Sequence, residues 1–276
     1  MSCEIFVCYH KPSFVPENKI IVPMHAGKAL SNLDLGFAGD NTKDNISEKN
    51  PYFCELTITY WIWKNVKADI VGLMHYRRFF NFKNDETKFH KFSPDFLQKY
   101  GISEQNIKQI LKDYDIILPK RTPGTKNSVY EHYKKEHVIS DLDKALDIIK
   151  SKYPKMYKSA EDILKNNSHS YPTNMLICKK ALFDKYAEWL FSILFELEKK
   201  IQTDVDKRDS YQKRSYGFLA ERLTTVFVAA HPDLKIKELP IAYYEDNLKM
   251  YIKYRIKMLK RRFLTLLGIN KAKWKM

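Results

Sequence analysis

IVGLMHYRRFF, residues 70–80, is the stretch on which the reading of this chain turns. Ile70–Met74 is a short, continuously apolar run, the pattern of a strand buried on both faces. His75, Tyr76, Arg77 and Arg78 follow at once. In open α/β sheets ligands bind just beyond the carboxyl ends of strands, so His75, Arg77 and Arg78 stand where a ligand would be. Two guanidiniums there suit a diphosphate or a carboxylate, because each fork matches paired oxygens. The competing reading pairs both arginines with internal acids such as Glu55 or Asp44.

Working outward, Ile5–Tyr9, Ile20–Pro23, Ile116–Leu118, Met175–Cys178 and Lys235–Tyr243 also read as buried strands. Helical patterns lie between them. Asn50–Lys64 opens with Asn50 as cap and Pro51 in the first turn, and Ser103–Lys112 opens on Ser103. Asp141–Lys150, Ala181–Ile201 and Ser215–Ala230 follow. Leu182, Tyr186, Trp189, Leu190, Ile193, Leu197 and Ile201 share one helical face and read as core. Trp61 and Trp63 point to opposite sides of their helix, and packing is the expected role. Residues 24–48 and 202–214 are polar and read as loops. The alternation predicts a single α/β domain over residues 1–245, with a mostly parallel central sheet flanked by helices.

Composition agrees. The 276 residues are 44% hydrophobic and 14% aromatic, enough for a large core and against disorder. Apolar stretches such as Trp189–Phe195 fall short of the roughly 18 residues of a membrane span. Met1–Tyr9 lacks the basic start and apolar centre of a signal peptide. Cys3, Cys8, Cys54 and Cys178 show no metal-ligand spacing and read as reduced, packed thiols, which fits the cytoplasm.

The net charge is +15, and its placement is uneven. Residues 249–276 hold ten Lys or Arg and no acid; the remaining chain has 38 basic against 33 acidic residues. In the segment 246–276, Ile252, Ile256, Leu259, Phe263 and Leu266 step by four and three along one helical face, with Lys253, Lys257, Lys260 and Arg261 beside it and Trp274 near the end. A basic amphipathic helix of this kind suits an anionic membrane surface. A helix packed on the body with a solvated basic side is the plain alternative. A nucleic-acid-binding module using this tail is a further one, although no nucleic-acid-binding motif accompanies it.

The densest polar and aromatic cluster precedes the central strand: Asp44-Asn45-Ile46-Ser47, Asn50-Pro51-Tyr52-Phe53-Cys54-Glu55-Leu56-Thr57 and Tyr60-Trp61-Ile62-Trp63-Lys64-Asn65. Together with Gly72-Leu73 and His75-Tyr76-Arg77-Arg78-Phe79-Phe80, this string resembles a bacterial family of capsular and exopolysaccharide biosynthesis glycosyltransferases, long catalogued only as a domain of unknown function. Asn174-Met175 and Gly217-Phe218-Leu219-Ala220-Glu221-Arg222-Leu223 extend the likeness across roughly residues 3–245.

The resemblance implies a GT-A-like, Rossmann-like fold. It also implies transfer of a hexose, with galactose or galactofuranose as the guess, from a UDP-sugar or similar donor. The acceptor would be a lipid-linked or growing surface glycan of capsule, exopolysaccharide or lipopolysaccharide, and the protein would sit peripherally on the inner face of the cell membrane. A sugar-phosphate transferase of capsule assembly is the other enzymatic reading.

Within that likeness His75, Arg77 and Arg78 are expected to stabilise the leaving diphosphate, and Glu221 is the candidate base, with a charge partner of Arg222 or Arg214 as its other reading. His25, Asp44, Asn45, Ser47, Asn50, Glu55, Lys64, Asn65 and Tyr76 fall on the donor side; His137, Asp141 and Arg214 fall on the acceptor side. Most GT-A enzymes hold Mn²⁺ or Mg²⁺ with Asp-x-Asp at a strand end. Here that pattern occurs at Asp113/Asp115, Asp141/Asp143 and Asp204/Asp206, too freely in a chain with 18 Asp to single out a site. Asp113 and Asp115, the metal candidates, precede their strand instead of following it. Basic side chains at His75–Arg78 are expected to neutralise the diphosphate in place of a metal or beside one.

Overall fold

The computed structural model describes residues 1–83, 88–122, 127–245 and 247–266. Its strands are β1 (Cys3–Tyr9), β2 (Ile21–His25), β3 (Ile70–His75), β4 (Arg78–Phe80), β5 (Lys88–Phe89), β6 (Ile116–Pro119), β7 (Leu176–Lys179), β8 (Ile236–Leu239) and β9 (Ile241–Tyr244). Its helices are α1 (Asn50–Phe53), α2 (Leu56–Asn65), α3 (Phe96–Lys99), α4 (Glu104–Asp113), α5 (Val129–Glu136), α6 (Ile139–Lys152), α7 (Pro154–Lys165), α8 (Lys180–Val205), α9 (Ser215–Ala229) and α10 (Leu248–Leu266).

β3 is buried at every position because it is bordered on both edges and covered on both faces. β1 runs parallel along one edge; β7 runs antiparallel along the other from Ile70 to Leu73. β2 extends the sheet beyond β1, and β6 and β8 extend it beyond β7. At His75 the sheet forks, as β4 pairs with the end of β3 and leads to β9 and β5. Among the described residues the sheet is thus mixed, four pairs parallel and four antiparallel, where the sequence predicted a mostly parallel one.

Alternation along the strands divides the core into two layers. Phe6, Val71, Leu73, Leu176 and Cys178 face α2 and α5 to α9. Ile5, Val7, Ile70, Met74 and Ile177 face α3, α4 and the aromatics of the smaller sheet arm. Gly72 lies where β3 meets β7 most closely: a Cβ there would be 2.6 Å from Ile177 Cγ1 and 2.8 Å from the Leu176 carbonyl oxygen.

Several boundaries differ from the sequence reading. The expected helix Asn50–Lys64 is broken at Cys54, whose φ of 52° cannot continue a helix. Lys235–Tyr243 divides at Pro240, which has no N–H for the ladder. The 202–214 loop is shorter than expected, since α8 runs on to Val205 and Gln212–Arg214 forms a 3-10 turn. α5 and α7 had no reading from periodicity. Ser103 caps α4 as expected, its hydroxyl accepting from the Asn106 N–H at 3.2 Å. Lys271, Lys273, Trp274 and Lys275 of the basic tail lie outside the described residues. Among the described residues no helix is long and apolar enough to cross a membrane.

Overpacking of this kind costs about 1–3 kcal/mol. Gly72→Ala is therefore expected to lower the unfolding free energy by that amount in urea denaturation, and an unchanged midpoint would contradict the close β3–β7 approach.

Candidate active site

The site begins where β3 ends. A buried strand cannot carry charge inward, so the first polar group, His75, appears at its carboxyl end. Tyr76 and Arg77 form the turn, and Arg78 opens β4 opposite His75. Beside this hairpin lies a cavity of about 950 Å³. Five Lys or Arg and three Glu line it, so its wall carries net positive charge suited to an anionic ligand.

The two arginines have different environments. Arg77 Nη2 lies 2.9 Å from Glu245 Oε1, and its Nε donates to the Tyr244 carbonyl at 3.2 Å. Lys88 shares the same carboxylate, 3.3 Å from Oε2. Among the described residues the Arg78 side chain makes no hydrogen bond or ion pair, and its charge bears on both His75 and Glu221. Arg77 is thus held internally, as the competing reading foresaw but with Glu245 as partner instead of Glu55 or Asp44, while Arg78 stays available.

The break at Cys54 delivers the first acid. Asn50 Nδ2 donates to the Cys54 carbonyl at 2.8 Å, fixing the turn that points Glu55 into the cavity. Arg214 Nε donates to Cys54 Sγ at 3.1 Å. A Cβ at Gly217 would come within 3.1 Å of the same sulfur, so the glycine lets the start of α9 approach Cys54 closely without displacing it. Burial raises the Cys54 thiol to about 12, so it stays protonated at neutral pH.

Thr173 and Asn174 hold both acids from one turn. Asn174 Nδ2 donates to Glu55 Oε1 at 2.7 Å, and the Thr173 N–H donates to Glu221 Oε1 at 3.2 Å. His75 Nε2 lies 3.9 Å from Glu55 Oε1. Burial pulls His75 down to about 4 against the attraction of Glu55, with Arg78, His10 and Arg214 adding to the fall; the imidazole is neutral at pH 7. Burial also opposes charge on Glu55. His75 on protonation, a backbone N–H, the Asn174 amide and Arg214 outweigh it and hold the carboxyl below its ordinary value. Glu221 is raised, chiefly by burial, against the pull of Arg222, whose Nη1 lies 2.8 Å from Oε2. Its side chain is still 28% exposed, so it can exchange protons with a ligand in the cavity.

Eight of the residues singled out from sequence meet here: His75, Tyr76, Arg77, Arg78, Asn50, Glu55, Arg214 and Glu221. The others build the surrounding scaffold. Asp40, fully buried and unread in the sequence, accepts from the Gly27 and Lys28 N–H groups at 2.9 and 3.1 Å and from the hydroxyls of Ser47 and Thr57. Ser47 therefore braces the 24–48 loop and does not line the cavity. Asn45 Oδ1 accepts from the Ser47 N–H at 3.1 Å. Asp44 Oδ1 accepts from Tyr60 at 3.0 Å and its carbonyl from Asn65 at 2.8 Å, which pins the loop to α2. His25 is buried behind the wall, its backbone bonded to Ala38 and Asp40. Lys64 sits 3.5 Å over the Trp63 ring at the far end of α2. Trp63 in turn stacks on Phe191, and Trp61 donates to the Thr42 carbonyl, so both tryptophans pack.

The acceptor-side expectations also divide. Asp141 is buried, bonded to Arg208 and at 2.9 Å to the Ser215 hydroxyl, and does not reach the cavity. His137 stacks on Phe218 with ring centroids 4.1 Å apart, behind the wall that Phe218 and Tyr211 present. Tyr211, Thr173 and Glu245 had no sequence reading; the turn signal Tyr171-Pro172-Thr173-Asn174 was the one hint available.

The metal candidates stand at the wrong end of the sheet. Asp115 Oδ2 accepts from the Lys235 N–H at 2.8 Å where β6 begins, and Asp113 closes α4. Among the described residues no three His, Cys, Asp or Glu come together as a cation cage. Within the cavity Glu55 and Glu221 are likewise joined by no third such ligand among the described residues, so the donor set found there does not make up a cation cage.

A mixed α/β sheet flanked by helices, with a cationic cavity at the end of its central strand, is the architecture of a GT-A-like domain. Residues 4–232 match the model of a family described as a domain of unknown function, DUF4422, and the chain belongs to that family. Its structure is similar to that of WbbM, titled a bifunctional glycosyltransferase in the apo state, with 36% identity and a TM-score of 0.83 over 89% of this chain. The likeness covers 46% of the WbbM chain, so this chain spans about half that length. No curated protein matches it.

Because the folded state depresses the His75 pKa to about 4, the unfolded chain binds this proton first as pH falls. The His75 contribution is constant above pH 6.5 and is expected to lower stability below it by up to roughly 1.4 kcal/mol per pH unit until about pH 4. His10, His25 and His137 are lowered as well, so the His75 share is the difference between wild type and His75→Gln in denaturant titrations at several pH values. Parallel curves for the two proteins would contradict a neutral buried His75.

Proposed function

We propose that the chain is a glycosyltransferase module that moves a hexosyl group from a nucleotide sugar to a glycan acceptor. The observation that carries the reading is Arg78: a guanidinium without an internal partner among the described residues, at the carboxyl end of β3, lining the same cationic cavity as Glu221. The likeness to a glycosyltransferase structure supports it.

In this reading Arg78 and Arg214 take the diphosphate, whose negative charge grows as the bond from the anomeric carbon to its oxygen breaks. Glu221, with its raised pKa, receives the proton of the attacking acceptor hydroxyl. His75 stays neutral and adds a polar contact without adding charge. Arg77, tied to Glu245, shapes the turn and adds its field. Tyr211 and Phe218, their ring centroids 5.0 Å apart, line the same cavity as Glu221 and supply aromatic surface suited to the apolar face of an acceptor sugar.

The donor is proposed as a UDP-sugar, with galactose or galactofuranose as the transferred unit. The acceptor is proposed as a lipid-linked or growing glycan of capsule, exopolysaccharide or lipopolysaccharide at the inner membrane face. Cationic side chains take the charge that Mn²⁺ or Mg²⁺ would otherwise balance.

Loss of one transition-state charge donor costs about 10²–10³ in rate. Arg78→Ala is expected to lose that much turnover with an unchanged melting temperature, and Arg77→Ala less, since its guanidinium is engaged by Glu245. Undiminished transfer by Arg78→Ala would remove the diphosphate assignment.

Removal of a general base typically costs 10²–10⁴, and roughly that loss is expected of Glu221→Gln. Thermal-shift titration with uridine nucleotides and sugar nucleotides, with and without Mn²⁺, reads base preference and metal need together. Release of nucleoside monophosphate in place of diphosphate would favour the sugar-phosphate transferase.

A further inference from the structure

The apolar side chains that the fold leaves uncovered are concentrated on one element. Leu248, Met250, Ile252, Ile256, Leu259 and Phe263 of α10 are each 47–62% exposed. At about 100° per residue, Leu248, Ile252, Ile256, Leu259 and Phe263 form a single stripe. The helix is attached to the body by a different side. The Tyr251 ring lies 5.3 Å from that of His90, and Lys88 Nζ lies 5.0 Å from the Tyr254 ring. Both tyrosines are half-buried. α10 therefore fixes itself to β5 with its tyrosines and turns its aliphatic stripe to solvent, an arrangement that marks a binding surface.

Charge selects the occupant. Lys249, Lys253 and Lys260 flank one side of the stripe and Arg255 the other, all exposed. Residues 249–276 contain ten Lys or Arg and no acid, and the chain carries +15 overall, so a second copy would bring like charge to like charge. An anionic lipid surface takes both features: headgroups meet the cations, and the acyl boundary takes the apolar stripe. We propose that α10 docks the domain onto an anionic bilayer, lying in the plane of the headgroups with Ile252, Ile256, Leu259 and Phe263 directed inward.

Docking there also orients the cavity. Lys88 lines the cavity, pairs with Glu245 and lies against Tyr254, so the root of the docked helix stands at the cavity wall. A glycan carried on a lipid in the same bilayer would meet the cavity from that side. The delivery of such an acceptor rests on the glycosyl-transfer reading; the lipid contact does not.

The test is co-sedimentation of the full chain with vesicles of phosphatidylcholine alone and of phosphatidylcholine mixed with phosphatidylglycerol. The protein is expected to sediment with the mixed vesicles, to stay in solution with the neutral ones, and to be released as salt rises. Ile256→Asp combined with Phe263→Asp is expected to weaken partitioning at least about tenfold. Both positions are exposed, so its melting temperature should equal that of the wild type. A wild-type protein that ignores anionic vesicles overturns the proposal, and so does a double variant that binds them equally well. A wild-type dimer in light scattering that the double variant dissolves would assign the stripe to a second copy, which also overturns it. Vesicle binding without any nucleotide-induced thermal shift supports the docking and sinks the transferase reading.

Discussion

The burial of β3 on both faces and along both edges is the constraint from which the rest follows. A strand in that position cannot bear a charge along its length, since an unpaired buried charge costs several kcal/mol. Its polar continuation is therefore pushed to the end of the sheet, where the fork between β7 and β4 leaves room for a cavity. β4 leads the chain toward β9, and the residue just after β9, Glu245, returns to Arg77. One strand ending thus produces the cavity, its positive edge and the acid that tempers that edge.

Two adjacent arginines consequently receive different work. Arg77 lies in the turn and is tied to Glu245; the Arg78 side chain begins β4 with no partner among the described residues. The acids facing them are matched in support, since Glu55 and Glu221 are both held from the Thr173–Asn174 turn. Among the described residues three non-glycine positions have positive φ, and two of them, Cys54 and Thr173, flank this site. Each such backbone costs of order 1–3 kcal/mol and persists only where surrounding contacts over-determine it. The Asn50 amide and the close approach of Gly217 supply those contacts at Cys54.

Much of the frame was legible from local pattern. The apolar runs located six strand regions, the Ser103 cap fixed the start of α4, and the seven-residue face of α8 is buried but for the partly covered Leu182. The cluster around residues 44–65 was recognised as special, but its internal division was not. Asn50 and Glu55 reach the cavity while Asp44, Asn45, Ser47, Lys64 and Asn65 brace a loop or a helix end. A polar side chain reads alike in sequence whether it meets a ligand or a neighbouring backbone N–H. Asp40 shows the converse: an acid with four structural donors carried no motif at all.

The sequence by itself determined where strands lie, which helix faces are buried, that His75–Arg78 stand at a strand end, and that the cations of the last segment flank an apolar stripe. These are properties of neighbours within a few residues, and periodicity records them. Tertiary structure decided the direction of β7, the break at Cys54, the pairing of Arg77 with Glu245 and the placing of Arg78 in the cavity wall. Each depends on groups far apart in the chain, 168 residues apart for Arg77 and Glu245, and only the closing of the sheet brings them within bonding distance.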